Sequence, residues 1–336
     1  MVRIITVDDI KTLIRKVTLE TLFTRLIEKL EDNFNHWQDF EKMPRLASHF
    51  EQGVIELMPL WGKDYYSFKY VNGHPRNPEQ NKQTVIAVGM LSDVATGYPV
   101  LISEMTLLTA VRTAATSALA MKWLSKKKPK VFALIGTGAQ GEFQVLAHKT
   151  LLNIETVKYY DRDPKAMEKF EKNLSHYPIR LIPCQSIEET LLDADIITTA
   201  TAEKRHAQIL KDHYIQPGMT INALGGDCPG KTELEPKLLQ RGKVVIEYIE
   251  QSKIEGEIQN YDPSQIYAEL WEITSGKKPG RTSENDIMIF DSVGFGLEDY
   301  TILKLVYSLA EDFHVGHMLD MTPEISDPKN LFGLLK

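Results

Sequence analysis

From Val131 onward the chain alternates short apolar runs with helical patterns. VFALI (131–135) is followed by a helix from about Ala139, then TVKYY (156–160), a helix from Pro164, IRLIP (179–183), DIITTA (195–200), MTINAL (219–224), KVVIEY (243–248) and IMIFDS (287–292), with an apolar-periodic helix near 299–309. Strands separated by helices of this kind imply βαβ units and a parallel sheet covered on both faces, a doubly wound architecture. VFALI runs directly into Gly136-Thr137-Gly138-Ala139-Gln140-Gly141, and EFQVLAHKTLL after it is a good helix. In that setting Gly136 permits a tight turn, Gly138 lets the backbone approach a pyrophosphate, and Gly141 allows close helix–strand packing, while the helix N-terminus offers amides to the anion. The next strand ends at Asp161, 20 positions after Gly141. An acid there accepts hydrogen bonds from both adenosine ribose hydroxyls and repels a 2′-phosphate, which favours NAD over NADP, with Arg162 as the counter-signal. The bland alternative is a glycine turn beside a solvated Asp.

The first half reads differently. Leu19, Leu22, Phe23, Leu26, Ile27, Leu30 and Phe34 recur at the spacing of one helical stripe, which predicts an amphipathic helix. GVIELMPL, YYSFKYV, TVIAVGMLSD and GYPVLIS then form short runs rich in Val, Ile, Tyr and Phe, separated by turn formers such as Asn72-Gly73. They predict an antiparallel meander. A helix of small and apolar residues follows over 105–124, and SKKKP (125–129) reads as a linker. The expectation is therefore an α/β chain of two domains: an α+β domain with an antiparallel sheet over 1–125, joined by 315–336, and a Rossmann-type NAD-binding domain over 126–314.

With 39 Lys+Arg against 46 Asp+Glu, a net charge of −7 and a pI near 5.8, the chain is a poor general binder of phosphate backbones, so no nucleic-acid partner is expected. The two cysteines, Cys184 and Cys228, sit in no CxxC or Cys/His cluster, so neither disulfides nor a metal site is expected. No apolar run approaches the roughly 18 residues of a membrane span. Together these predict a soluble, unprocessed cytoplasmic protein without a membrane partner.

MTINAL ends in Gly225-Gly226-Asp227-Cys228-Pro229-Gly230-Lys231. Ligands of open parallel sheets bind beyond the carboxyl ends of the strands, so two glycines here would admit a planar nicotinamide and make Asp227 a candidate acid/base. Asp227 as the cap of a following helix is an equally good reading. Lys231 either approaches the anionic cofactor or is simply solvated. In the first half Arg112 is the only charge in LLTAVRTAATSALAM and needs an anionic partner or a route to water. Lys69, Glu56 and Arg45, each taken alone, read as ordinary surface residues.

RLASH (45–49), VIELMP (54–59), FKYVNGHP (68–75), RTAATS (112–117), GTGAQGEFQ (136–144), DIITTATA (195–202), GGDCPGKTEL (225–234), IEGEIQ (254–259) and DSVGFGLEDYT (291–301) together resemble the ornithine cyclodeaminase/mu-crystallin family over nearly the whole length. GGDCPGKTEL and VIELMP point to its cyclodeaminase branch. The resemblance implies a homodimer that converts L-ornithine to L-proline and ammonia with NAD, the 1–125 domain serving substrate binding and dimerisation. It puts Arg45, Lys69 and Arg112 on the substrate carboxylate, Asp227 in proton transfer, Glu56 beside the amino groups and Val293 in the pocket wall. For NAD it implies Thr84, Arg112, Ala139, Gln140, Asp161, Thr201, Asn222, Ala223, Leu224, Lys231 and Ser292, beside the three loop glycines. The competing expectations are an NAD-dependent amino-acid dehydrogenase or cyclic ketimine reductase, lysine cyclodeamination, and a non-catalytic binding protein like the mu-crystallins.

Overall fold

The computed structural model describes residues 1–201, 206–226 and 228–336. Two eight-stranded sheets organise it. The first runs in the order His317–Leu319, Val2–Ile5, Pro99–Glu104, Ala87–Asp93, Tyr65–Gly73, Gly53–Trp61, Glu41–Lys42, with Leu46–Phe50 also paired to Gly53–Trp61. The expected meander is there, and its hairpins are antiparallel. The edge is less regular: Val2–Ile5 pairs parallel with Pro99–Glu104 and antiparallel with His317–Leu319. Thus the irregular C-terminal stretch returns to the first sheet.

Along Gly53–Trp61 the even positions Val54, Glu56, Met58 and Leu60 are buried, as the two-residue period of a strand requires. They face the helix Gly296–Asp312, which lies across Gly53–Trp61, Tyr65–Gly73 and Ala87–Asp93, with Thr106–Leu124 and Leu19–Asn35 packed against that helix. Leu19–Asn35 buries the stripe seen in the sequence, from Leu22 to Phe34, and Thr18 caps it by accepting the Thr21 amide. Thr106–Leu124 is instead buried on most of its surface, which explains its small-residue composition: Ala and Ser let it lie close to both sheets.

The second sheet is wholly parallel, in the order Arg180–Pro183, Thr156–Tyr160, Val131–Ile135, Ile196–Thr199, Thr220–Ala223, Met288–Asp291, Lys243–Ile246, Ala268–Glu269. Its chain order reverses direction beside Val131–Ile135, where Ile196–Thr199 lies on the other side from Thr156–Tyr160. The loops after Val131–Ile135, Ile196–Thr199, Thr220–Ala223 and Met288–Asp291 therefore meet at one edge, the crevice where open sheets take ligands.

Candidate active site

At that crevice each glycine of the 136–141 loop has a distinct reason. Gly136 has φ +97°, and a Cβ there would fall 2.5 Å from the Ala200 carbonyl. At Gly141 a Cβ would meet the Phe170 ring at 3.2 Å, whereas at Gly138 it would meet nothing within 4 Å. The helix Gly141–Leu152 has no side-chain cap at its N-terminus, and only its Gly141 amide is turned back onto the loop, to the Gly138 carbonyl at 3.2 Å. Asp161 reaches back to this loop: Oδ2 accepts the Thr137 amide at 2.6 Å and its hydroxyl at 3.1 Å. Buried polar atoms without a partner line the same edge, among them Gln140 Oε1, Asn222 Oδ1 and Thr199 Oγ1. An open cradle at Gly138 with unsatisfied groups beside it fits a dinucleotide.

Of the other expected cofactor residues, Ala139 is exposed, Leu224 half-buried, Ala223 buried, and Thr84 half-buried in the segment leading to Ala87–Asp93. Asn222 donates to Thr198 Oγ1 at 3.1 Å and Gln144 Oε1 at 3.4 Å. Thr201 donates its amide to Glu233 at 3.1 Å. Lys231 is buried, not solvated, with Nζ 3.0 Å from the Thr201 carbonyl. Asp227 lies outside the described residues. The element after its loop is the strand Thr232–Leu234, and the next helix, Pro236–Arg241, has Glu235 at its cap position.

Arg45 and Lys69, unremarkable one by one, converge with Arg112. Arg45, Lys69 and Arg112 are buried together with Glu56, Glu247, Glu255, Glu298 and Asp299. Arg45 Nη1 lies 3.0 Å from Glu56 and 3.2 Å from Glu255, and its Nη2 donates to the carbonyls of Val293 and Gly294 at 2.6 and 2.8 Å. Lys69 Nζ pairs with Asp299 Oδ1 at 2.9 Å, and Arg112 Nε approaches the same oxygen at 3.1 Å while its Nη1 bonds Glu298. Glu56 and Lys69 thus point inward from their strands, contrary to their isolated readings. Arg112 does not reach solvent; it is held by two carboxylates.

Burial opposes the charge on Arg112, but Asp299, Glu298 and Glu247 more than compensate and raise its pKa. Lys69 is lowered to about 8 by burial and then by Arg112, with Asp299 pulling the other way. Burial and the neighbouring Glu247 carboxylate push Glu298 well above the usual carboxylate range, with Arg112 pulling the other way. Glu247 itself accepts the Ser292 hydroxyl at 2.9 Å and the amides of Val293 and Gly294 at 3.0 and 2.7 Å. Glu247, Glu255, Glu298 and Asp299 were not singled out from sequence. For Glu298 and Asp299 a signal exists: two acids open the first turn of the helix Gly296–Asp312, where the positive end of the peptide dipoles favours them.

The sequence profile of the ornithine cyclodeaminase/mu-crystallin family matches residues 7–313. The chain belongs to that family. A relative called ornithine cyclodeaminase, from Agrobacterium fabrum (strain C58 / ATCC 33970), is 46% identical over 335 residues, covering 100% of this chain and 95% of the relative. Among solved structures, an archaeal alanine dehydrogenase dimer with bound NAD superimposes with a TM-score of 0.88 at 31% identity, covering 96% of this chain and 99% of that one. A lysine cyclodeaminase described for its recognition of L-lysine, L-ornithine and L-2,4-diaminobutyric acid gives 0.91 at 25% identity, covering 99% of each. The family fold accounts for both sheets. No helix among the described residues is long and apolar enough to cross a membrane.

Proposed function

We propose that this chain converts L-ornithine to L-proline and ammonia with bound NAD. The observation that carries the reading is the composition of the buried charged cluster: five carboxyl groups, Glu56, Glu247, Glu255, Glu298 and Asp299, surround three cations, Arg45, Lys69 and Arg112. Cations in a dry site bind a carboxylate, and an excess of acids suits a ligand with more amino groups than carboxylates. A diamino acid meets both conditions; alanine meets only the first.

Arg45, Lys69 and Arg112 hold the α-carboxylate and so orient Cα toward the cofactor, a positioning effect that is among the largest available to an enzyme. Val293 forms part of the wall. The chemistry NAD supplies when bound is removal of hydride from Cα and its return after ring closure, with no net redox change. The α-amine must be neutral for the first event and the δ-amine neutral to attack, so a carboxylate within reach of both must take and return protons. Asp227 has that role and Glu56 assists at the amino groups. Thr84, Gly136, Gly138, Ala139, Gln140, Gly141, Asp161, Thr201, Asn222, Ala223, Leu224, Lys231 and Ser292, with Arg112, bind the cofactor.

On this reading residues 1–125 with 315–336 form the substrate and dimerisation domain, residues 126–314 bind NAD, and the protein works as a cytoplasmic homodimer. Incubation with catalytic NAD and α-15N-labelled L-ornithine should give labelled ammonia and unlabelled proline without stoichiometric NADH. NADH rising in step with a keto or imino product would instead make it a dehydrogenase, like its archaeal structural relative. Asp227→Asn should lower turnover on the order of 10²–10⁴-fold and leave a measurable residual rate; near-normal proline formation by that variant would remove Asp227 from the mechanism.

A further inference from the structure

Residues 255–259 touch both halves of the site. Glu255 Oε2 lies 3.2 Å from Arg45 Nη1. Gly256 donates its amide to the Gly226 carbonyl at 2.6 Å. Glu257 accepts the amides of Glu233 and Leu234 at 2.8 and 3.0 Å. Gln259 Oε1 accepts the Gly230 amide at 2.7 Å, and its Nε2 donates to the carbonyls of Lys231 at 3.0 Å, Gly256 at 2.7 Å and Cys228 at 3.4 Å.

The segment is itself anchored from below. Both oxygens of the buried Asp291 accept the Glu257 amide, at 3.0 and 2.9 Å, and Oδ2 also accepts that of Ile258 at 3.3 Å. Gly256 has φ +87°, and a Cβ on it would fall 2.5 Å from Asp291. Glu255 and Glu257 are buried. The polar groups of Glu257 and Gln259 are spent on backbone, that of residues 228–234 and, for Gln259, also the Gly256 carbonyl. Buried side-chain bonds to main-chain groups fix a loop because an unpaired partner left behind costs about 1–3 kcal/mol each.

We propose that residues 255–259 are a positioning strap that sets the 225–234 loop relative to Arg45, with Gln259 and Glu257 acting through the loop backbone on the proton transfer assigned to Asp227. The inference rests on that assignment. In sequence, residue 227 stands between Gly226 and Cys228, and the strap bonds the carbonyls of both. A displacement of about 1 Å at a reacting group costs on the order of 100-fold in rate, so a strap that governs placement shows itself in kcat.

Gln259→Leu removes the acceptor and every donor at similar volume. The expected result is a fall in kcat of roughly 10–100-fold with KM for ornithine within about threefold of wild type. Hydrogen–deuterium exchange in peptides spanning 225–234 should rise, with the rest of the chain unchanged. Gln259→Glu keeps the acceptor for Gly230 and should fall between the two; it also serves if Gln259→Leu does not fold. In an Asp227→Asn background Gln259→Leu should cost nothing further, because a positioning residue acts through the group it positions. Unchanged kcat, a KM rise with kcat retained, or an additive loss in that background would each overturn the strap. If Asp227→Asn alone keeps turnover, the catalytic reading of Asp227 falls, and the exchange measurement still decides the strap: unchanged loop exchange rejects it, and raised exchange supports it.

Discussion

Lys69 shows how much a single side chain depends on where its strand puts it. Burial, followed by the nearby Arg112, lowers its ammonium from 10.5 to about 8. In the free enzyme the cation is therefore lost as pH rises through 8, and KM for ornithine should climb there. Lys69→Arg keeps its charge across this range, so comparing the two proteins at each pH cancels titration of ornithine's own amines. A climb of equal size in both would remove Lys69 from carboxylate binding. The stability effect has a definite sign. Between about 8 and 10.5 the folded state binds fewer protons at Lys69 than the unfolded chain, so this group's contribution becomes more favourable as pH rises through that window. Below it, the buried cation is a cost that the fold carries for the sake of the site.

At the scale of elements, the turn after the strand Met288–Asp291 ties backbone shape directly to the charged cluster. Gly294 has φ +82°, and a Cβ on it would fall 2.6 Å from Arg112 Nη1. Gly294→Ala should cost about 1–3 kcal/mol through backbone strain and raise KM for ornithine as Arg112 is pushed aside. Thermal melting and steady-state kinetics of the same preparation check both. The sequence made the regular elements legible: VFALI matches Val131–Ile135 to the residue, because a buried parallel strand is one apolar run between turns. It did not reveal Leu46–Phe50, all of whose residues are exposed, so no alternation marks it. Lys69 and Asp299 are 230 positions apart, and no local period reports a counter-ion at that distance. The parity of VIELMP was available, however. Val54, Met58 and Leu60 share a face with Glu56, and a strand with three apolar inward residues puts the fourth inward too.

At the scale of the molecule, the outer face of the first sheet carries an apolar row. Leu46 lies opposite Leu57, Leu57 opposite Tyr70, and Tyr70 opposite Val88, all four exposed. A row of that kind across four strands suits burial against a second copy about a two-fold axis. Leu57→Arg should therefore shift sedimentation from a dimer toward the 38.2 kDa chain, and a wild-type protein that sediments as a monomer would remove the homodimer from the reading. Arg45 adds a consequence of another sort. Its backbone precedes a strand of the first sheet, yet its guanidinium is seated on the Val293 and Gly294 carbonyls just past a strand of the second. Neither sheet alone defines where that charge sits. The charged cluster is a joint between the sheets, and any force that slides one sheet off the other displaces that guanidinium while leaving every strand intact.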